Sequence, residues 1–207
     1  MAWQNHPVRG SNLVDVPAAT PFPIGGGNRT LNVDGDGLKY RDDFNLNLRD
    51  SRAECQWAFQ QLAALGTTAT AGLALRLQTA DLGTCYFCTL TLTNFSGGTH
   101  GLSIYYYDGN TDIATLLDTS VQITGSPFYT LPIDTLFGLT FRAEGPNLAA
   151  AVHENDPTGR EIVKCSVIDT QIAVAGQPGI VGNFTTGIFI SYQARFDTFR
   201  VRAVGAP

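Results

Sequence analysis

Charge is scarce in this chain: 13 Lys+Arg and 18 Asp+Glu make up only 15% of 207 residues, against roughly 25% in ordinary soluble domains. A helix-rich protein would need more Lys and Glu than this, so an all-β fold is expected. Basic residues are few and scattered, and the net charge is -5. No run of cations is present to neutralise phosphates, which excludes nucleic acid as the main partner. No apolar run is long enough to span a bilayer. The first residues, Met-Ala-Trp-Gln-Asn-His, lack a basic segment followed by an apolar one, so synthesis in a cytoplasm without secretion is expected. Histidine is limited to His6, His100 and His153, and glutamate to Glu54, Glu144, Glu154 and Glu161. Without a Gly-x-Ser-x-Gly elbow, so few histidines give no basis for a nucleophilic triad.

Cysteine is also sparse. Cys55, Cys85, Cys88 and Cys165 would form a disulfide framework in a small secreted domain, but here free thiols are expected. Cys85 and Cys88 have the spacing of a metal or redox motif. They sit in Cys-Tyr-Phe-Cys-Thr-Leu-Thr-Leu-Thr, which alternates as a strand does, and residues i and i+3 of a strand face opposite sides.

What the chain does have is glycine, proline and period-two hydrophobicity. Residues 1–28 carry Pro7, Pro17, Pro21 and Pro23 and close on Gly25-Gly26-Gly27. Four missing backbone donors and three missing side chains predict an extended arm outside the sandwich. Its apolar residues Trp3, Val8, Leu13, Val16, Phe22 and Ile24 are candidates for docking to a partner. Residues 29–207 read as one β-sandwich of short strands separated by turn signals.

Leu73, Leu75 and Leu77 share a predicted face opposite Arg76 and Gln78, and Tyr86, Cys88 and Leu90 oppose Thr89 and Thr91. Phe137, Leu139 and Phe141 run into Glu144-Gly-Pro-Asn147, which predicts a hairpin returning through His153. Asp108-Gly109-Asn110 predicts a second hairpin joining 102–107 to 114–123, with Asp-Gly supplying a positive φ. The last strand loses phase near Asp197-Thr198, which predicts a bulge. Ser51–Leu65 fits both periods, since Ser51-Arg-Ala-Glu54 is a capping box and Ala53, Cys55, Trp57 and Phe59 alternate. A helix would leave Trp57 on the polar side, so a strand is favoured, with 60–71 as a loop. Phe141, Leu139, Leu75, Leu90 and Phe196 are the expected core.

Three segments carry a resemblance. Gly72-Leu-Ala-Leu-Arg-Leu-Gln78, the 136–153 hairpin and Ala194-Arg-Phe-Asp-Thr-Phe-Arg-Val201 resemble, in that order, strands of the concanavalin A-like jelly roll, the superfamily of laminin G domains, pentraxins and legume lectins. The resemblance spans roughly 50–204 and implies an antiparallel β-sandwich. Domains of this kind occur in tailed-phage virions. The chain is similar to them in overall character, which implies a virion protein: a capsid decoration, head fibre or tail appendage, with capsid or tail proteins as partners and homo-oligomers expected.

The chemistry implied by such relatives is not matched here. The Glu-x-Asp-x-(x)-Glu strand of laminarinase-like members is absent, and in Gln171-Ile-Ala173 an alanine stands where lyases on this fold place histidine. His153-Glu154-Asn-Asp156 is the nearest acidic grouping and reads as a loop. No enzymatic activity is expected. Two binding functions stay open. Tyr105, Tyr106 and Tyr107 beside Asp108 and Asn110 would offer rings and polar groups to a glycan. Asn32-Val-Asp34-Gly-Asp36 has oxygen ligands at calcium-loop spacing but lacks the closing glutamate, and Asp197 matches the position at which many members of the fold hold a structural calcium. No other cofactor is expected.

Overall fold

The computed structural model describes residues 4–5, 7–8, 13–17, 29–34, 38–40, 48–61, 68–93, 101–121, 136–182 and 191–204. Among them are fourteen strands: β1 (Gln4–Asn5), β2 (Leu13–Pro17), β3 (Arg29–Asp34), β4 (Leu38–Tyr40), β5 (Ser51–Gln61), β6 (Thr68–Gln78), β7 (Thr84–Thr93), β8 (Gly101–Asp108), β9 (Ile113–Val121), β10 (Leu136–Glu144), β11 (Asn147–Glu154), β12 (Glu161–Ile168), β13 (Gln177–Val181) and β14 (Ser191–Ala203). One 3₁₀ turn, Thr79–Asp81, links β6 to β7. The strands form two seven-stranded sheets, β1-β4-β13-β6-β7-β8-β9 and β12-β11-β10-β5-β14-β3-β2. Their pairings are antiparallel, as in a jelly-roll β-sandwich.

The sheets meet over a core to which the first contributes Leu73, Leu75, Tyr86, Cys88 and Leu90 and the second Cys55, Trp57, Leu139, Phe141 and Phe196. The five expected core residues are all buried. In β5 the period-two pattern prevails over the capping box. Ala53, Cys55 and Trp57 enter the core, and the Trp57 ring lies 5.5 Å from Phe196. The 136–153 hairpin pairs Glu144 with Asn147, with Gly145 at φ 53. The bulge in β14 falls where the phase slips, between Asp197 and Arg200, with Thr198 at φ 53, so that Phe196 and Phe199 both pack on the core.

Four expectations need correction. Gln60 and Gln61 end β5, and Thr68–Ala71 continue β6, pairing with Leu90–Thr93, and are not a loop. That stretch has β-branched and small residues and no turn chemistry, so an available partner strand decides. Leu77 does not share a face with Leu73 and Leu75. Between Leu75 and Gln78 the register shifts, with Arg76 at φ 55, and Leu77 joins Ala74, Cys85, Phe87, Tyr107 and Val181 on the far face of the sheet. Arg76 itself is 1% exposed. Its guanidinium donates to the carbonyls of Arg49 (2.8 Å), Ile172 (2.7 Å) and Gly145 (2.6 Å), and lies 3.4 Å from Asp50 Oδ1. Burial lowers its pKa, and the negative charge of Asp50 opposes that shift.

In the 102–121 hairpin the positive φ belongs to Asp112 (φ 57), because the turn runs from Asp108 to Ile113. Gly109 is required for a different reason: a Cβ there would lie 2.3 Å from Leu82 O. The fourth correction concerns residues 1–28. Within them, β1 pairs with β4 and β2 pairs with β3, each as the outermost strand of its sheet. Proline is disfavoured within an interior strand and is accommodated in β13 only at a register shift, at Pro178, whereas Pro17 ends a marginal strand. Leu13–Pro17 are therefore part of the sandwich margin.

All four cysteines are buried thiols, none of them in a disulfide. Cys85 faces the far-side cluster and Cys88 the main core, as strand alternation requires. Burial pushes both thiols far above their ordinary range and raises Cys165 to about 12. The thiolate is the reactive form, so the native protein is expected to resist a thiol reagent at pH 8. Denaturant without reductant should release four thiols; two or fewer would contradict this arrangement.

Candidate functional site

Strand alternation divides the three tyrosines of β8. Tyr105 and Tyr107 turn to the far face of the first sheet, while Tyr106 packs at the margin of the main core. Tyr105 is half-buried and stacks on Phe87 with ring centroids 4.9 Å apart and planes 13° from parallel. Tyr107 is fully buried, and its hydroxyl donates to Asp112 Oδ1 at 2.7 Å. Tyr106 is tilted against Tyr86 at 6.1 Å. The three rings therefore do not form one platform. Tyr105 alone keeps part of a ring accessible on the far face.

At the hairpin tip, Asp108 accepts from Asn110 N (2.9 Å) through Oδ1 and from Thr111 Oγ1 (2.9 Å) through Oδ2. These bonds, led by the one from the Asn110 backbone, hold its carboxyl below the usual range. Asn110 Nδ2 donates to Asp81 Oδ1 at 2.6 Å. Thr84 Oγ1 donates to Asp81 O (2.9 Å) and accepts from Gly109 N (3.0 Å). The tip and the 3₁₀ turn are thus bound into one unit. Asp81 is the member that sequence reasoning missed, because nothing local marks a contact between residues 29 positions apart.

Other carboxylates are similarly engaged. Glu54, with a side chain 5% exposed, lies 2.5 Å from Arg202 Nη2 and 3.4 Å from Arg52 Nε. Glu154 pairs with Arg160. Asp156 accepts from Thr158 Oγ1 (2.6 Å) and Thr158 N (2.7 Å), which lowers its pKa. His153 lies between Thr140 Oγ1 (3.3 Å) and Gly159 O (3.1 Å). Gln56 Nε2 donates to Asn155 O at 2.8 Å, and Gly138 leaves no room for a Cβ beneath Asp156 and Pro157. The 153–156 grouping is therefore the end of β11, His153 and Glu154, with the turn that follows it, fastened to the outer face of the second sheet. At one end of the sandwich, Tyr86 donates its hydroxyl to Asp169 and accepts from Ile172 N at 2.9 Å. Burial pushes the Asp169 carboxyl up, but bonds from Tyr86 and Gln171 outweigh this and leave it below its ordinary range.

Among the candidate docking residues, Val8 is 39% exposed, and Leu13 and Val16 lie in β2 opposite Val33 and Thr30. Trp3, Phe22 and Ile24 lie outside the described residues, as does Asp36. The backbone of Asp34 pairs with Ser191, six positions along β14 from Asp197. At about 3.3 Å per residue the two are about 20 Å apart, so they cannot share one ion. Among the described residues, no group of three His, Cys, Asp or Glu is placed to hold a metal.

No protein-family model matches the chain, and no curated protein matches it by sequence. Solved structures do share its architecture. The exoplasmic/lumenal domain of VIP36, in a Ca2+/Man-bound form, is similar over 100% of this chain and 84% of its own, with 10% identity and a TM-score of 0.53. A protein of unknown function from Saccharomyces cerevisiae is similar over 95% of this chain and 98% of its own, with 12% identity and a TM-score of 0.53. The enzymatically active domain of a tailspike protein of bacteriophage CBA120 matches 86% of this chain with 10% identity and a TM-score of 0.53. Only 26% of that tailspike chain is covered, so the likeness concerns a part of it. At these identities the shared property is the jelly-roll-like sandwich.

Proposed function

We propose that this chain is a non-enzymatic structural component of a tailed-phage virion. In this reading it is a concanavalin A-like knob acting as capsid decoration, head fibre or tail appendage, joined to a capsid or tail protein through its N-terminal residues and assembled as a homo-oligomer. The observation that carries the non-enzymatic part is the state of the carboxylates. Asp81, Asp108, Asp156 and Asp169 are bound to neighbouring backbone and side chains, and Glu54, Glu144 and Glu154 to arginines. Hydrolysis needs a free pair across an open groove, one partner protonated and the other ionised. The virion part draws support from the architecture shared with the phage tailspike domain and from strands of residues 1–28 at the sheet margins, where a neighbour could add to them.

Tyr105 favours a second reading, a lectin-like module that adheres to host-surface glycans, with Asp108 and Asn110 at the adjoining tip. The two readings are compatible. The proposal assigns no resident cofactor, and a rise in thermal midpoint on adding calcium would instead support a structural ion near Asp34 and Asp36 or near Asp197. Incubation with a panel of neutral and acidic polysaccharides is expected to release neither reducing ends nor unsaturated uronides. Release that disappears in Glu54→Gln or Glu154→Gln would overturn the non-enzymatic reading.

A further inference from the structure

Net charge conceals a local arrangement on the outer face of the second sheet. Adjacent strands β10, β5 and β14 place Arg142 opposite Arg52 and Arg52 opposite Arg202, giving three arginines in one cross-strand row. Ala53, Cys55 and Phe141 occupy the core side of the same strands, so this row faces outward. The side chains of Arg52, Arg142 and Arg202 are 36%, 48% and 60% exposed. The next row aligns Thr140, Glu54 and the exposed Arg200. Four guanidinium groups thus face two carboxylates, Glu54 and Glu144. Glu54 and Glu144 do not balance all four: Glu54 lies between Arg52 and Arg202, Glu144 pairs with Arg142, and the exposed Arg200 forms no ion pair among the described residues.

Like charges directly opposite on neighbouring strands destabilise a sheet. In a chain with 13 Lys+Arg and net charge -5, such a row calls for an anionic occupant. We propose that this face is a docking surface for a linear polyuronate, a polysaccharide with one carboxylate per sugar residue. Neighbouring strands lie about 4.8 Å apart, so the row repeats its cations at a spacing of the order of one sugar unit. Each guanidinium can receive a carboxylate through paired N–H groups. The floor beside the row is made of small side chains, Thr140 and Ala149, so an extended acidic chain can lie across it. This inference is separate from the virion reading and concerns a different face from Tyr105.

The test is binding of the full chain to immobilised polygalacturonate, with dextran as the neutral control and polyglutamate as the acidic polypeptide. Binding to polygalacturonate alone is expected, falling steeply with salt because the contacts are exposed. The double variant Arg142→Gln, Arg200→Gln should bind about tenfold more weakly with no fall in thermal midpoint, whereas Arg160→Gln, off the rows, should bind as the parent does. No binding at low salt, or parental affinity in the double variant, would overturn the proposal. Equal binding to polyglutamate would also overturn it and assign the surface to an acidic polypeptide.

Discussion

Replacing Arg76 by Met is expected to lower the unfolding free energy by about 3 to 5 kcal/mol, measured by denaturant titration. The cost arises chiefly from what Arg76 leaves behind. Carbonyls of Arg49, Ile172 and Gly145 lose their donor together, and a buried unsatisfied acceptor costs about 1 to 3 kcal/mol. Asp50 adds little, because its side chain is 42% exposed and water can replace the guanidinium. Arg76 also fastens the crossover between the sheets, since it holds the carbonyl of Ile172 while Tyr86 accepts from the same residue's N–H. Arg76→Lys is expected to recover only part of the loss, because one ammonium cannot match a fork that reaches three divergent carbonyls. A loss below about 1 kcal/mol for Arg76→Met would show that water replaces the guanidinium at no cost and that the network is not structural.

Phe141→Ala is expected to cost a similar amount, about 3 to 5 kcal/mol, for a different reason. Its ring is fully buried in the middle of β10, opposite Ala53 on one side and Ala150 on the other. Two alanines cannot expand into the space a benzyl group vacates, so a cavity would persist between the sheets. The loss should be accompanied by an unchanged denaturant slope, because the fold itself is retained. A loss below about 1 kcal/mol would place Phe141 outside the core and contradict the pairing of the β10–β11 hairpin.

The contrast between these residues marks what the sequence could reveal. Phe141, Leu139 and Trp57 were legible because burial of one face imposes a period of two, which the chain spells out directly. The bulge in β14 was legible for the same reason, as a break in that period. Arg76 was misread because it also fits the period, as a polar residue between two leucines. Its burial depends on a bulge at φ 55 and on carbonyls contributed by residues 49, 145 and 172. No local pattern encodes acceptors that arrive from so far along the chain. Leu77 was misplaced by the same bulge. Asp81 at the hairpin tip and the cross-strand row of arginines were hidden likewise, since each depends on register between strands distant in sequence. Proline and glycine in residues 1–28 argued against an interior strand but were silent about a marginal one, which is where Leu13–Pro17 pair.

Assembly into particles is the central claim, and quantitative mass spectrometry of density-purified virions from the source lysate tests it most directly. Peptides of this chain are expected in the particle band at a fixed ratio to the major capsid or tail protein, retained through a high-salt wash. Recovery of the chain only in the soluble fraction, with particles of normal composition lacking it, would contradict the account.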